Sequence, residues 1–545
     1  MALKIPKIGL PQMLKDGYKH MQGLEEAVFR NIAATKELTE ITRTSLGPNG
    51  RNKMVINHLE KLFVTSDAAT IMKELEVVHP AARLLVLASQ QQETEMGDST
   101  NFVVVFAGEL LQQAEYLLRF GLHPSEVIQG YEVACKKALE TLETLSVDSI
   151  SNCLAEAELS KIVMPTIASK QYGYEDLLSG LVVQAALEVM PKNAANFNVD
   201  SVRVVKILGA SIHDSTVVRG MVFGREPETV VQKATKAKVA IFTSGIDVNL
   251  TETKGTVLIK SVNDMLNFSK GEEKHLEAAI KSLADAGVKV VVAGSTIGEL
   301  VLHFLNRFNI LAVKVLSKFD LRRLCRVTGA TALTRFGVPT PEEMGFCDVV
   351  EAVEIGSDRC TVFRQDQEST KTATIVLRGS TQNTLDDLER AIDDGINSIK
   401  AVTRDGRLVA GAGAVEIELA RALQAVAEKT PGLNQYAIQK FAQAFEVIPR
   451  TLSENAGLDS TEVISNLYAA HTQGKTTAGV DIESDKQGVL DAKEKGILDV
   501  LSVKRYAVKQ AAHVAVTILS IDQIIMSKPA GGPKVKEPSK DWDED

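Results

Sequence analysis

The sequence predicts a multidomain protein of mixed α and α/β class, helical at both ends with an α/β portion inserted between them. Three observations predict it. Residues from about 23 to 146 carry long stretches such as "AARLLVLASQQQETE" and "GELLQQAEYLLRFG", whose apolar residues recur at helical spacing. From about residue 203 short β-prone runs alternate with helical ones. After about residue 403 the helical character returns and continues to Met526.

Taken in chain order, the first amphipathic helix carries Ile32, Leu38 and Ile41 and stops abruptly at "TSLGPNG". In the middle, "KVAIFTSGI" reads as a strand, and "GEEKHLEAAIKSLADAG" as a helix with Leu276, Ile280, Leu283 and Ala284 on one face. "VKVVVAG", "STIGELVLHFLNRFN", "ILAVKVLS" and "KFDLRRLCRVTGA" then continue the alternation. Strands and helices of these lengths imply βαβ units and a mainly parallel sheet covered on both faces. The end of the chain, "KPAGGPKVKEPSKDWDED", is too rich in Pro, Gly and charge to build a core and is expected to be disordered.

At 545 residues the chain exceeds what one core supports, and about three to four domains are expected. With 45% hydrophobic and 24% charged residues it reads as globular and soluble. A net charge of −9 without a basic stripe argues against nucleic acid or an anionic membrane surface as partner. Five scattered cysteines without a CxxC spacing suggest neither a disulfide framework nor a zinc site, and point to a reducing, cytoplasmic setting. The N-terminal stretch lacks a signal-peptide core, and no membrane span is expected.

Five stretches carry residues suited to phosphate chemistry, each with an ordinary structural alternative. In "TSLGPNGRNKM", Gly47, Pro48 and Gly50 form either a helix terminator or a cradle whose backbone amides approach an anion. "VTSDAATIM" places Asp67, and "MGDSTNFVVVF" places Asp98 between Gly97 and Ser99–Thr100. Each acid is either a helix cap or a Mg²⁺ ligand beside phosphate-binding donors. In "NTLDDLERAIDDGINSIKAV", Leu385, Leu388, Ile392, Ile396 and Ile399 form an apolar stripe. Asp393 and Asp394 lie off its centre, as a solvated face or as a carboxylate that acts on water. "VAGAGAVEIELARAL" offers Gly411 and Gly413 for tight packing or close ligand approach. The nearest approach to a P-loop, "AAHTQGKTT", has Ala469 where the first glycine is required, so it fails as one.

In this order and at these separations, the five stretches resemble the nucleotide site of the group II chaperonins. "TSLGPNGRNKM" resembles TSLGPxGxxKM, "SDAATI" resembles NDGATI, "GDSTN" resembles GDGTT, "ERAIDDG" resembles the helix of the catalytic aspartate, and "GAGAVE" resembles GGGAxE. The likeness runs nearly the whole chain, to "SIDQII", and among such proteins points to subunits of the eukaryotic cytosolic chaperonin. It implies an equatorial ATPase domain from 1–147 and 405–528, and an intermediate domain from 148–218 and 370–404. An apical domain would span 219–369, with a lid-like helical protrusion at about 246–278 and a tail from 529 to 545.

The resemblance further implies ATP/ADP and Mg²⁺ as cofactors. Leu46, Gly47 and Pro48 would line the phosphates, and Asp98 would ligate Mg²⁺ among Gly97, Ser99, Thr100 and Asn101, with Thr100 touching phosphate. Gly413, with Gly411 and Ala412 in the same turn, would lie against the nucleotide, and Asp499 of "GILDVLSVK" would bind the ribose. Asp394 would be the general base or water-orienting carboxylate, assisted by Asp67. The implied partners are paralogous subunits in a hetero-oligomeric double ring and unfolded client polypeptides.

Departures from the family pattern accompany the matches. Ala68, Ser99 and Ala412 stand where relatives have glycine, and Asn101 stands for a threonine. Added Cβ atoms restrict the backbone, and Asn101 lacks the hydroxyl, so binding is expected more firmly than hydrolysis. A mixed ring tolerates such drift in one subunit better than a ring of identical ones. The leading expectation is an ATP-driven folding-machine subunit. Its rival is a structural or client-binding subunit that holds nucleotide with little turnover. A small-molecule kinase or ligase fits less well, because no acceptor-substrate pocket is evident.

Overall fold

The computed structural model describes residues 19–22, 27–247, 262–365, 372–483 and 488–526. Among them, one helical core draws on both ends of the chain. Its centre is the Thr100–Arg119 helix, whose run from Phe102 to Leu111 is buried apart from half-buried Glu109. A helix apolar all round must be enclosed. Helices Phe29–Arg43, Pro80–Met96, Asn434–Ala444 and Leu501–Leu519 enclose it. Phe106 stacks on Phe445 with centroids 4.4 Å apart, and Phe441 meets both Phe106 and Tyr131 edge-on. The Phe29–Arg43 helix comes close because Gly108 faces Thr39, where a Cβ would lie 2.2 Å from Thr39 Oγ1. Its buried face is formed by Asn31, Ile32, Thr35, Leu38, Thr39 and Thr42, whereas Ile41 is exposed.

A second core joins helices Glu156–Ala168, Glu175–Val189 and Gln382–Arg404 to strands Val202–Leu208 and Ala373–Gly379. The expected stripe Leu385, Leu388, Ile392, Ile396 and Ile399 is fully buried there.

Nine described strands form one sheet, which runs from Val202–Leu208 through Ala373–Gly379, Thr216–Phe223, Asp358–Arg364, Gly345–Ile355, Lys233–Phe242 and Val288–Ala293 to Leu311–Lys314. Ala332–Leu333 pairs parallel with Ile241 and Phe242, beyond the stretch of Lys233–Phe242 paired to Gly345–Ile355. Both faces are covered: Val239 and Ile241 enter one apolar cluster, and Ala240 and Phe242 the other. The expectation of a mainly parallel sheet needs correction. Parallel pairing holds where helices intervene, as in Lys233–Phe242 to Val288–Ala293 to Leu311–Lys314. Gly345–Ile355 and Asp358–Arg364 instead turn back on each other through Gly356, at φ 68°, and a short turn joins only antiparallel strands. The fold class is otherwise the predicted one, helical flanks around an inserted α/β portion.

Near the chain ends, Lys19–Gln22 pairs antiparallel with Gln523–Met526. Residues 248–261 of the expected protrusion and the tail from 529 lie outside the described residues, and 262–278 belong to the Val262–Asp285 helix. The five cysteines are free thiols. Among the described residues, no helix is long and apolar enough to cross a membrane.

Candidate functional site

The Phe29–Arg43 helix ends at Thr44, and the next residues fold into a compact turn. Gly50 N–H donates to Gly47 O at 2.9 Å, and Arg51 N–H to Thr44 O at 2.8 Å. Asn455 Nδ2 donates to the carbonyls of Arg43 and Leu46, tying the turn to the far part of the chain. Gly47 has φ 84°, and a Cβ there would lie 2.4 Å from Leu452 Cδ2, so only glycine fits. The Thr44 hydroxyl accepts from Lys53, and Ser45 Oγ donates to Thr42 O. The turn both terminates the helix and, through Ser45, Leu46, Gly47 and Pro48, walls a cavity of about 230 Å³.

Asp67 caps the Ala68–Glu74 helix, accepting from the Thr70 amide and hydroxyl. The capping reading of this residue is correct, and Asp67 also lines the cavity. Asp98 follows Gly97, at φ 81°, and precedes Ser99, at φ 64°. The sharp turn aims Asp98, Ser99, Thr100 and Asn101 at the cavity. On the opposite wall the Arg407–Ala410 strand turns through Gly411, Ala412 and Gly413 into the Ala414–Lys429 helix. Ala412 and Gly413 line the cavity, as does Asp499 from the strand beside Arg407–Ala410.

Two helices thus begin at this cavity, at Thr100 and Ala414, and neither has a side-chain cap. Uncapped first-turn amides form a ready anion site. Ser66 Oγ and Asn101 Oδ1 are buried at the same wall without a hydrogen-bond partner, as expected of groups that await a polar ligand. One part of the wall is apolar, with Val480, Ile482, Leu490 and Ile497.

Three expected residues stand outside this wall. Gly97 and Asp394 line an adjoining cavity of about 300 Å³ that shares Asp67. Gly411 lies behind the wall, where a Cβ would be 3.1 Å from Ile497 O. Lys170 connects the two cavities: its ammonium bonds Asp394 and lies 3.3 Å from Asp67 Oδ1. Burial raises the pKa of the Asp67 carboxyl, but Lys170 and the Thr70 donors outweigh it and hold the pKa at about 2. Among the described residues Asp98 has no ion-pair partner, and burial pushes its carboxyl above the usual range despite the pull of Lys170. Burial works against the Lys170 ammonium, yet the surrounding carboxylates, Asp67 first, keep it charged.

Residues 38–529 match the model of the TCP-1/cpn60 chaperonin family. The chain belongs to that family. Its relatives include a Schizosaccharomyces pombe protein named probable T-complex protein 1 subunit theta, 57% identical over the whole of both chains. T-complex protein 1 subunit theta of Dictyostelium discoideum is 55% identical over 97% of this chain and 98% of its own. The Homo sapiens protein of that name is 54% identical over all of both chains.

In this chaperonin the departures from the family motifs have visible geometry. Ser99 and Ala412 both adopt left-handed backbone, at φ 64° and 54°, which costs a non-glycine residue about 1–2 kcal/mol. Ala412 also crowds its neighbour, since a Cβ on Gly479 would lie 2.8 Å from its own. Asn101 turns its amide to Thr42 O at 3.2 Å. Ala68 carries no positive φ and sits at the first position of a helix, where alanine fits.

The chaperonin's two cavity lysines, Lys170 and Lys504, escaped the sequence reading, as did Ser66. Neither lysine stands in a glycine-rich turn, and only the folded chain places them beside the acids. Ser66 precedes Asp67 directly, and that adjacency was the available signal.

Proposed function

We propose that this chain is an ATP-hydrolysing subunit of a cytoplasmic protein-folding chaperonin, working with paralogous subunits in a hetero-oligomeric double ring that encloses unfolded polypeptides. One observation carries the reading: turns from residues 44–50, 66–68, 98–101 and 411–413, far apart in sequence, meet at one cavity with Asp499. The relatives' shared name, T-complex protein 1 subunit, supports membership of a multi-subunit complex. The separate cores support equatorial, intermediate and apical roles for 1–147 with 405–528, 148–218 with 370–404, and 219–369.

In this reading the amides of the two uncapped helix starts and the Leu46–Gly47–Pro48 turn hold the phosphates of ATP or ADP. Asp499 takes the ribose, and the apolar wall takes the base. Asp98, half-buried and without an ion-pair partner among the described residues, would hold Mg²⁺, which when bound neutralises phosphate charge. Among the described residues, no cluster of His, Cys, Asp and Glu side chains is suited to hold a metal by itself, so one carboxylate and the phosphates would share the ion. Lys170 holds Asp394 and Asp67 together. An entering phosphate oxygen competes for that ammonium, releasing the Asp394 carboxylate to orient a water for attack, with Asp67 beside it. Nucleotide state is thereby coupled to the helix that carries Asp394, and through it to the inserted domain.

The test separates binding from chemistry. Asp98→Ala should weaken Mg²⁺-nucleotide binding by about tenfold or more. Asp394→Ala should leave affinity within about twofold while cutting phosphate release on the order of 100-fold, because it acts on the transition state alone. Equal affinities in the two variants would contradict these roles. A second reading, a subunit that holds nucleotide with little turnover, is favoured by the left-handed Ser99 and Ala412.

A further inference from the structure

Lys504 stands where helix energetics disfavour it. It lies in the first turn of the Leu501–Leu519 helix, whose positive end repels a cation, and it is only 9% exposed. Two carboxylates hold it there: its Nζ lies 2.6 Å from Glu416 Oε1 and 3.2 Å from Asp499 Oδ2. The ammonium also sits 4.7 Å from the Phe102 ring centroid. The three groups run inward from the cavity, with side-chain exposures of 38% for Asp499, 11% for Lys504 and 1% for Glu416. Asp499 and Lys504 line the cavity, and Glu416 lies behind them.

This order fixes what each group is free to do. Glu416 has no other cation among the described residues, so Lys504 cannot move away without stranding a buried charge. A fixed ammonium in turn fixes Asp499 Oδ2, and Oδ1 is left without a partner among the described residues. A carboxylate is an acceptor only, so one held in place at the cavity meets the hydroxyl groups of a ligand.

Building on the reading of this cavity as a nucleotide site, we propose that Lys504 is a positioning residue. It fixes the Asp499 carboxylate at the cavity wall as an acceptor for the ribose hydroxyls of a nucleoside di- or triphosphate.

The experiment is calorimetric titration of the full-length chain with ADP, 2′-deoxy-ADP, 3′-deoxy-ADP and 2′,3′-dideoxy-ADP. The dideoxy compound should bind about tenfold more weakly than ADP, the usual worth of a charged hydrogen bond. Each monodeoxy compound should bind no more tightly than ADP and no more weakly than the dideoxy compound. Because Lys504→Met alone strands Glu416, the ammonium is removed together with Glu416→Gln. The double variant should then bind ADP no better than dideoxy-ADP, whereas Lys504→Arg should keep most of the preference. Should the double variant fail to fold, Asp499→Asn still must abolish the preference.

A folded double variant that retains the tenfold preference overturns the positioning role. A wild-type chain that binds ADP but ignores its hydroxyls removes Asp499 from ribose recognition and overturns the proposal with it. Failure of the wild-type chain to bind any of the four compounds would instead refute the nucleotide-site reading beneath it.

Discussion

Ser99 holds its left-handed backbone beside the proposed phosphates, where a Cβ is tolerated only because the surrounding turns enforce it. A displacement of about 1 Å near a reacting phosphate costs on the order of 100-fold in rate with little effect on binding. Restoring the family residues by Ser99→Gly with Asn101→Thr is therefore expected to raise turnover at this site. The check is phosphate release from assembled complex in which the partner subunits' catalytic acids are disabled; an unchanged rate would show the departures to be neutral. Asp67 gives a second residue-level expectation. Its carboxyl titrates at about 2 instead of the ordinary 3.8, so the stability it contributes is complete above pH 4 and is lost as pH falls toward 2. Asp67→Asn should lower stability near neutrality by about 2 kcal/mol and flatten that acid limb in denaturant titrations. At this scale the sequence was most legible where chemistry and turn formation coincide, as at Asp67, Asp98 and Gly47. It was silent on Lys170 and Lys504, because a lysine's partner is chosen by tertiary approach and leaves no local pattern.

Between elements, Gly97 is the point where the end of the Pro80–Met96 helix meets the Gln382–Arg404 helix. A Cβ there would lie 2.3 Å from Asn397 Cβ, and the residue also needs φ 81°. Gly97→Ala should therefore cost about 2–3 kcal/mol, combining backbone strain with overpacking. Gly121→Ala, at φ 94° with nothing within 4 Å, should cost only about 1 kcal/mol from strain. Paired unfolding curves measure the difference; equal losses would mean that the two helices do not press together at Gly97. Helices were well legible because their apolar stripes face one partner surface, as Leu385 to Ile399 do. The sheet was less so, since its alternation with helices was read on stretches from "KVAIFTSGI" to "KFDLRRLCRVTGA", residues 238–330, only. The antiparallel members Thr216–Phe223, Gly345–Ile355 and Asp358–Arg364 lie outside that window. Buried threonines on the first helix were missed for a related reason: Thr35, Thr39 and Thr42 return their hydroxyls to carbonyls of their own helix and behave as small core residues.

For the whole molecule, the nested order of helical, α/β and helical segments was legible because composition changes at each junction, and the two strands that join Lys19–Gln22 to Gln523–Met526 close that arrangement. Phe106 completes its stack only against Phe445, from the other end of the chain. A ribosome makes the two partners in that order. At about 5–20 residues per second, the Thr100–Arg119 helix waits on the order of tens of seconds for the segment that covers it. During that interval the inserted α/β portion completes its own sheet, while the apolar face of the Thr100–Arg119 helix that Asn434–Ala444 and Leu501–Leu519 cover stays open. The newborn chain is thus itself a polypeptide with exposed apolar surface, in need of the kind of shelter that a folding chamber offers its clients.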